Sequence, residues 1–300
     1  MKTDKELCGI VGVYKPTGWT SFDVVAKLRG ILHTKRIGHG GTLDPMAEGV
    51  LPVFVGKAAK ACDMLPDRKK AYTAGFKLGL STDTEDITGR VLNESTEKVT
   101  HEELAAAKGS FVGDIMQLPP MYSAVKVGGK KLYELAREGK TVERSPRPIH
   151  IDSIEIAQYD ESTREGVMLI KCEKGTYVRT VISDIGQKLG VGGVMTSLIR
   201  TYSGGIGLDD CMTLGEIEKA VLQNGAESVL SPVDKVFELY YEIRLDERLT
   251  RLYKNGVKLE ARQVGRAGDD KNYRVYGSQG EFLGLGYFDN SQLRSRKNFY

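Results

Sequence analysis

Long apolar runs are missing from this 300-residue chain, whose longest hydrophobic stretches have only the length of a β-strand and could not span a bilayer. Its first residues include Lys2, Asp4, Lys5 and Glu6, and no apolar segment near them could form the core of a secretory signal. These absences argue against membrane and secreted classes. They predict a protein of the cytoplasm with no membrane association.

Cysteine and histidine are scarce and scattered. The four cysteines, at positions 8, 62, 172 and 211, form no C-x-x-C pair, and the four histidines show no metal-ligand spacing. A disulfide framework and a zinc site are therefore not expected. The cysteines are predicted to be reduced thiols of an intracellular protein.

An excess of one charge is also missing, since the net charge is only +3. The basic residues are nevertheless clustered, at residues 68–70, 126–131, 144–147 and 294–297. Each cluster alone is typical of a solvated face. Together they suit a protein that contacts the phosphates of a nucleic acid, although they do not establish one.

Apolar periodicity predicts both strands and helices. Short β-branched or alternating runs predict strands at residues 9–14, 51–56 and 72–80. Capping residues predict helices after Thr20, Thr100 and Thr213, and residues 131–138 and 178–189 are also predicted to be helical, each stopped by a glycine. Residues 38–49 and 81–89 are predicted to be irregular. Because no strand–helix–strand rhythm repeats, an α+β fold is expected.

The pattern of apolar residues and glycines changes after residue 234. Short β-like runs at residues 273–276 and 282–288 alternate with glycines, which is typical of a small β-barrel. Two domains are therefore predicted, one at residues 1–234 and one at residues 235–300.

The glycine-rich stretch contains the most informative carboxylate. Its glycines permit a tight path and close approach by a ligand, and Pro45 biases Asp44 toward an extended conformation. A carboxylate is thus presented on a stiffened loop just before a buried strand. The alternative is that Asp44 only caps a turn, as aspartate commonly does.

Residues 38–53, GHGGTLDPMAEGVLPV, fit the pattern G-H-x-G-T-L-D-P-x-A-x-G-x-L. Further motifs follow the same scheme: VYKPTGWTS at 13–21, the basic and acidic block at 68–86, PPMYSAVK at 119–126, GTYVR at 175–179 with Asp184, and LIRT at 198–201. In these motifs the chain resembles the TruB family of tRNA pseudouridine synthases. Residues 235–300 match more loosely and resemble the PUA domain that often ends such chains.

The resemblance implies a pseudouridine synthase fold, with a central mainly antiparallel sheet flanked by helices and a small C-terminal PUA-like β-barrel. It implies that Asp44 is the catalytic aspartate, acting as nucleophile or base on a uridine that is swung out of its RNA loop. Arg179 is then expected to pair with Asp44 and hold it charged. On residues alone, a solvent-facing Arg179 at a helix start stays an alternative. No metal and no organic cofactor is implied.

The resemblance also assigns the walls of the base pocket. Tyr72 is expected to stack on the target base and assist proton transfer, although core packing is the ordinary role of a tyrosine in such a strand. Tyr177 and Leu198 would line the same pocket, and His39 would fill the space left in the RNA loop. Lys15, in the K-P-x-G segment, is either structural or a phosphate contact.

The expected partner is tRNA, with the T arm at the active site and the acceptor stem at the PUA-like domain. A monomer without an obligatory protein partner is expected. Three alternatives stay open: a non-catalytic RNA-binding protein of the same fold, a hydrolase that uses a carboxylate pair such as Asp44 and Glu48, and a catalytic subunit of a guide-RNA particle. The third is disfavoured because such subunits typically carry extra terminal segments, often lysine-rich.

Overall fold

A computed structural model of the chain describes residues 7–265 and 271–300. Within these residues the strands, labelled in chain order, are β1 (Gly9–Lys15), β2 (Ile37–His39), β3 (Glu48–Val55), β4 (Lys69–Leu78), β5 (Leu80–Thr82), β6 (Val91–Glu94), β7 (Gly113–Gln117), β8 (Lys126–Val127), β9 (Lys130–Lys131), β10 (Arg147–Asp160), β11 (Glu165–Glu173), β12 (Gly193–Ser203), β13 (Ile206–Gly207), β14 (Cys211–Met212), β15 (Tyr241–Arg244), β16 (Leu259–Glu260), β17 (Asn272–Tyr276), β18 (Phe282–Asp289) and β19 (Gln292–Asn298). The α-helices are α1 (Ser21–Ile31), α2 (His101–Gly109), α3 (Leu132–Arg137), α4 (Val178–Lys188), α5 (Leu214–Asn224) and α6 (Glu247–Lys254).

The chain divides into two compact units. The first contains the described parts of Met1–Pro45, Gly49–Arg68 and Ser203–Tyr300, and the second contains Met46–Glu48 and Lys69–Tyr202. The predicted domain boundary at residue 234 lies inside the first unit. That boundary stays a prediction.

In the first unit, β1 lies between β3 and β14. It runs antiparallel to β3, with Gly9 opposite Val55 and Lys15 opposite Gly49, so the end of β1 lies beside the start of β3. Helix α1 begins at the N-cap Thr20, whose hydroxyl accepts from the backbone N–H of Asp23. The apolar face of α1 packs with valines and leucines of β1 and β3 in one buried cluster. The helix predicted after Thr20 is confirmed, and its Val24, Val25, Leu28 and Ile31 are buried.

The C-terminal part of the first unit contains a five-stranded sheet in the order β15-β17-β18-β19-β16. The predicted small β-domain is thus confirmed, and helix α6 adds to it. One buried cluster joins Leu285 and Phe299 of this part to Ile10 of β1 and Phe54 of β3, with Phe237 between them in the chain. The C-terminal strands therefore share a core with the first strands of the chain.

In the second unit, strands follow one another in the order β12-β4-β11-β10-β7. Strand β4 runs antiparallel to β11, which runs antiparallel to β10, and β10 runs antiparallel to β7. The helices α2, α3 and α4 belong to this unit. The expected α+β class with a mainly antiparallel sheet is confirmed.

Two predictions of irregular structure were wrong at their ends. His39 closes β2 and Glu48 opens β3, because both ends of the glycine-rich stretch pair into the sheet of β1 and β3. The predicted loop at residues 81–89 begins inside β5, which pairs with β6. Among the described helices, none combines the length and apolar composition that a membrane span requires.

Candidate active site

The loop that carries Asp44 is fastened on both sides of the carboxylate. On one side, the backbone N–H of the buried Leu43 donates to Ser21 Oγ at 2.9 Å, and Ser21 Oγ lies 3.3 Å from the Leu43 carbonyl oxygen. On the other side, the Pro45 carbonyl accepts from the backbone N–H of Gly18 at 2.8 Å. Asp44 itself is partly exposed. Its backbone is therefore held between two anchored neighbours while its side chain remains accessible.

Lys15 supplies a further anchor for this loop. Its side chain is fully buried, and Nζ donates to the carbonyls of Pro16 at 2.8 Å and Trp19 at 2.6 Å and lies 3.4 Å from that of Pro45. Burying an ammonium group is costly unless acceptors surround it, and these carbonyls provide them. Of the two roles left open for Lys15, the structural one is therefore supported.

The glycines before Asp44 serve two separate needs. A side chain at Gly40 would lie 3.1 Å from the Phe54 ring and 3.3 Å from Pro52, so the loop could not pack as closely on β3. Gly41 has a φ of 115°, in the region that favours glycine. His39, just before them, is partly exposed at the end of β2, where it pairs with Val53.

The second unit holds the other predicted site residues. Tyr72 lies on β4 opposite Ile170 of β11 and is 7% exposed, and Leu198 lies on β12, the other neighbour of β4, and is also 7% exposed. Both therefore belong to buried strand surfaces of the same sheet. Core packing and a wall of a base pocket are both compatible with this burial.

Tyr177 is the N-cap residue of α4 and is held by a side chain that the motif analysis did not single out. Its backbone N–H donates to Gln117 Oε1 at 2.9 Å, and its carbonyl accepts from Gln117 Nε2 at 3.1 Å. Gln117 is 2% exposed at the end of β7. This two-way amide contact fixes the start of α4 against the edge strand of the sheet.

Arg179 lies in the first turn of α4 and is 5% exposed, so the alternative of a solvent-facing arginine is wrong. Its Nη1 lies 3.8 Å from Asp86 Oδ2, and its Nη2 donates to the Tyr122 carbonyl at 2.5 Å. A buried guanidinium needs such partners because an unpaired buried charge is strongly destabilising. The predicted pairing of Arg179 with Asp44 stays a prediction.

Asp86 is itself held in place by its neighbours. Its Oδ1 accepts from the backbone N–H of Thr88 at 2.9 Å, from Thr88 Oγ1 at 2.6 Å and from Thr84 Oγ1 at 2.9 Å. The other oxygen, Oδ2, faces Arg179. Asp86 belongs to the acidic block that carried the family resemblance, but no role was predicted for it. The structure shows that it forms an ion pair with Arg179.

Two further carboxyl groups belong to this region, one on Glu85 beside the first turn of α4 and one on Asp184 within the helix. Glu85 has a φ of 65° and accepts a short hydrogen bond from Thr180 Oγ1. Burial raises the pKa of Glu85, and the charge of Asp184 acts in the same direction. The hydrogen bond from Thr180 and the charge of Arg179 oppose this rise. Burial also raises the pKa of Asp184 to about 6. Burial thus opposes the ionisation of both Glu85 and Asp184.

Comparison with known proteins gives this arrangement its context. Residues 29–178 match the TruB family pseudouridylate synthase N-terminal domain, and residues 179–238 match the tRNA pseudouridylate synthase B C-terminal domain. The chain is 43% identical over 279 residues to tRNA pseudouridine synthase B of Clostridium acetobutylicum, an alignment that covers 93% of this chain and 94% of the relative. It is also 43% identical to the protein of the same name from Levilactobacillus brevis over 298 residues, covering 97% of this chain and 98% of the relative.

Solved structures agree with the sequence relatives. A protein in a Cbf5-Nop10-Gar1 complex superimposes with a TM-score of 0.76 at 25% identity, over 97% of this chain and 85% of that chain. The fold is that of a pseudouridine synthase. The chain belongs to the TruB family of pseudouridylate synthases.

Proposed function

We propose that this protein isomerises a uridine in the T loop of tRNA, at conventional position 55, to pseudouridine, and that Asp44 is the catalytic carboxylate. The observation that carries the proposal is the nearly full-length similarity to relatives named tRNA pseudouridine synthase B. The anchored loop of Asp44 supports it, because catalysis requires a reacting group held in one orientation.

The reaction breaks the bond between ribose C1′ and uracil N1 and forms a bond between C1′ and uracil C5. Asp44 attacks or deprotonates the target nucleoside, the uracil rotates, C5 loses its proton and N1 gains one. The product is an isomer of the substrate, so no electrons are exchanged with a cofactor. Only the base, the sugar and protein side chains take part.

Asp44 must be ionised for either role. In a pocket from which the bound nucleotide excludes water, a carboxylate tends to take up a proton unless a cation is close. Arg179 is proposed as that cation, and Asp86 then acts as a positioning residue that limits the orientations of the guanidinium. The carbonyl of Tyr122 fixes the same side chain from another direction.

Tyr72, Tyr177 and Leu198 are proposed to receive the extruded uracil. Removing a base from its stack costs free energy, and aromatic and apolar walls restore part of it. Burial of Tyr72 and Leu198 on neighbouring strands supports this assignment. His39, partly exposed at the end of β2 in the first unit, is proposed to occupy the space that the base leaves.

The remaining partner contacts are proposed at the level of RNA arms. The T arm would lie at the active site and the acceptor stem at the C-terminal β-domain, with the basic clusters contacting phosphates. We further propose that the protein acts as a monomer, in the cytoplasm, without an obligatory protein partner.

The test is incubation with an unmodified tRNA transcript, followed by mapping of pseudouridine. We expect product at the T-loop uridine with wild-type protein and none with Asp44→Asn, while tRNA binding by the variant is largely kept. Glu48→Gln is the matched control and should retain product formation, which separates the synthase from a carboxylate-pair hydrolase. Folded wild-type protein that binds tRNA but forms no pseudouridine would support the non-catalytic alternative instead.

A further inference from the structure

Two exposed aromatic side chains lie at the start of α1, one just before the helix and one in its first turn. Trp19 is 37% exposed and Phe22 is 64% exposed. Among the described residues, the other large aromatic side chains that are exposed to this degree are Tyr241 and Tyr300, in the C-terminal β-domain. Trp19 stands directly before the N-cap Thr20, and Phe22 lies in the first turn of the helix.

This aromatic segment is fastened to the Asp44 loop by several hydrogen bonds. Lys15 Nζ donates to the Trp19 carbonyl and lies close to the Pro45 carbonyl, which also accepts from the backbone N–H of Gly18. Ser21, between the two aromatic residues, is bonded to Leu43. The backbone that carries the two rings is therefore tied to the loop that presents Asp44.

The chemistry of the surface favours a nucleic-acid base over a protein partner. The Arg29 guanidinium lies 5.7 Å from the centroid of the Phe22 ring, and Arg29 makes no ion pair among the residues that the structure describes. Aromatic rings beside an arginine are a common surface for stacking unpaired bases. The exposed neighbours at residues 17, 18, 20 and 23 are polar or glycine, and the exposed Ala26 adds only one methyl group, so no continuous apolar patch of the size expected for a protein interface is formed.

We propose that Trp19 and Phe22 form a stacking platform for an unpaired base of the substrate RNA, on a nucleotide close to the one on which Asp44 acts. This inference rests on the proposed function and extends it to a second contact with the RNA loop. The segment that carries these rings is tied by hydrogen bonds to the loop that presents Asp44, which is why the platform is assigned to a neighbouring nucleotide of the same RNA.

Trp19 is the single tryptophan of the sequence, so its fluorescence reports directly on this platform. The Asp44→Asn variant would be titrated with a T-arm stem-loop RNA, because this substitution prevents turnover during the measurement. We expect saturable quenching of Trp19, since a base stacked on an indole ring quenches its fluorescence by charge transfer from the excited ring. An unchanged spectrum at saturating RNA, with binding shown independently by a gel shift, would overturn the stacking role of Trp19.

Kinetics on otherwise wild-type protein test both rings. Stacking on an aromatic side chain is worth on the order of tenfold in affinity, so Trp19→Ala and Phe22→Ala should each raise KM about 5- to 10-fold and leave kcat within about twofold. Trp19→Phe should stay within about twofold of wild type in KM. Leu222→Ala removes another exposed apolar side chain, 82% exposed on α5, and should change neither constant.

A scan of abasic nucleotides identifies the stacked base. With wild-type protein, removing that base should raise KM as much as Trp19→Ala or Phe22→Ala does, and combining the two changes should give little further loss. Fully additive losses at every loop position would overturn the proposal. Failure of the proposed function looks different, since wild-type protein would then form no pseudouridine on the intact stem-loop.

Discussion

Replacing Lys15 with methionine tests how the Asp44 loop is held. Methionine keeps the aliphatic volume but removes a fully buried ammonium that makes two short hydrogen bonds, to the carbonyls of Pro16 and Trp19. A hydrogen bond from a charged donor contributes about 1.5–3 kcal/mol, so the two bonds together are worth about 3–6 kcal/mol. The desolvation cost of the ammonium, which the variant no longer carries, reduces that value. We expect the free energy of unfolding to fall by about 2–4 kcal/mol.

The same variant should lose activity beyond its loss of stability. Without the ammonium, the Pro45 carbonyl keeps only the Gly18 N–H as a described donor, and the loop that presents Asp44 becomes less constrained. A displacement of the reacting group by about 1 Å can lower the rate by about 100-fold. We therefore expect kcat to fall by about this factor in conditions where the variant is fully folded.

Urea denaturation and single-turnover pseudouridine formation would measure the two effects. Lys27→Met is the matched control, because Lys27 is an exposed lysine of the same unit whose ion pair with Glu218, at 3.0 Å, is worth about 0–1 kcal/mol. If Lys15→Met costs no more stability than Lys27→Met and retains wild-type kcat, the anchoring role assigned to Lys15 is refuted.

Three further predictions follow from the second unit and from helix packing. Asp86→Asn should lower the free energy of unfolding by about 2 kcal/mol and reduce kcat more than it raises KM, because the buried guanidinium of Arg179 loses a neighbouring negative charge; unchanged urea midpoints and kinetics would contradict this. Asp184→Asn should raise Tm at neutral pH but not at acidic pH: burial raises the folded-state pKa of Asp184 from 3.8 to about 6, so ionisation opposes folding as pH rises through this window. A gain of equal size at pH values below the window would count against that cause. Gly186→Ala should cost about 3 kcal/mol or prevent folding, since its Cβ would lie 2.2 Å from the backbone of Gly192, whereas Gly30→Ala, with open space around its Cβ, should stabilise the protein by about 0.5–1 kcal/mol in the same urea assay.

Local sequence signals predicted most helices correctly. The capping boxes that begin at Thr100 and Thr213 form as expected, and α2 and α5 start at the following residues. The glycine predicted to stop α4 is Gly190, which has a φ of 79°. These features depend on residues within one or two turns of each other, so a single sequence contains the information needed.

Several strands and one helix were not predicted, and α6 and β10 show why. Helix α6 has Asp246 as its N-cap and buries Leu249 and Tyr253, a pattern that short length and nearby glycines obscure. Strand β10 buries Ile149, Ile151 and Ile154, but bulges after Ile151 and Ile156 shift the alternation by one residue. A strict period of two therefore fails along the 14 residues of this strand.

The candidate site was predictable only in part. The glycine-rich stretch and Pro45 identify Asp44 as a candidate from local sequence. The roles of Arg179, Tyr72 and the other pocket residues were predicted only from the family resemblance. The partner of Arg179 in the second unit, Asp86, and the partner of Tyr177, Gln117, are remote in sequence. Such pairings depend on tertiary packing, and no local pattern of residue types specifies them.

The apolar cluster shared by the two ends of the chain has a practical consequence. Ile10 and Phe54 are covered in part by Phe237, Leu285 and Phe299, all of which come after the predicted boundary at residue 234. Truncating the chain at this boundary would expose the apolar side chains of Ile10 and Phe54 to water and promote aggregation. The small β-domain therefore completes the hydrophobic core around β1 and β3, the first long strands of the chain. A variant without this domain would be destabilised, so a loss of RNA binding by that variant could not be attributed to missing RNA contacts alone.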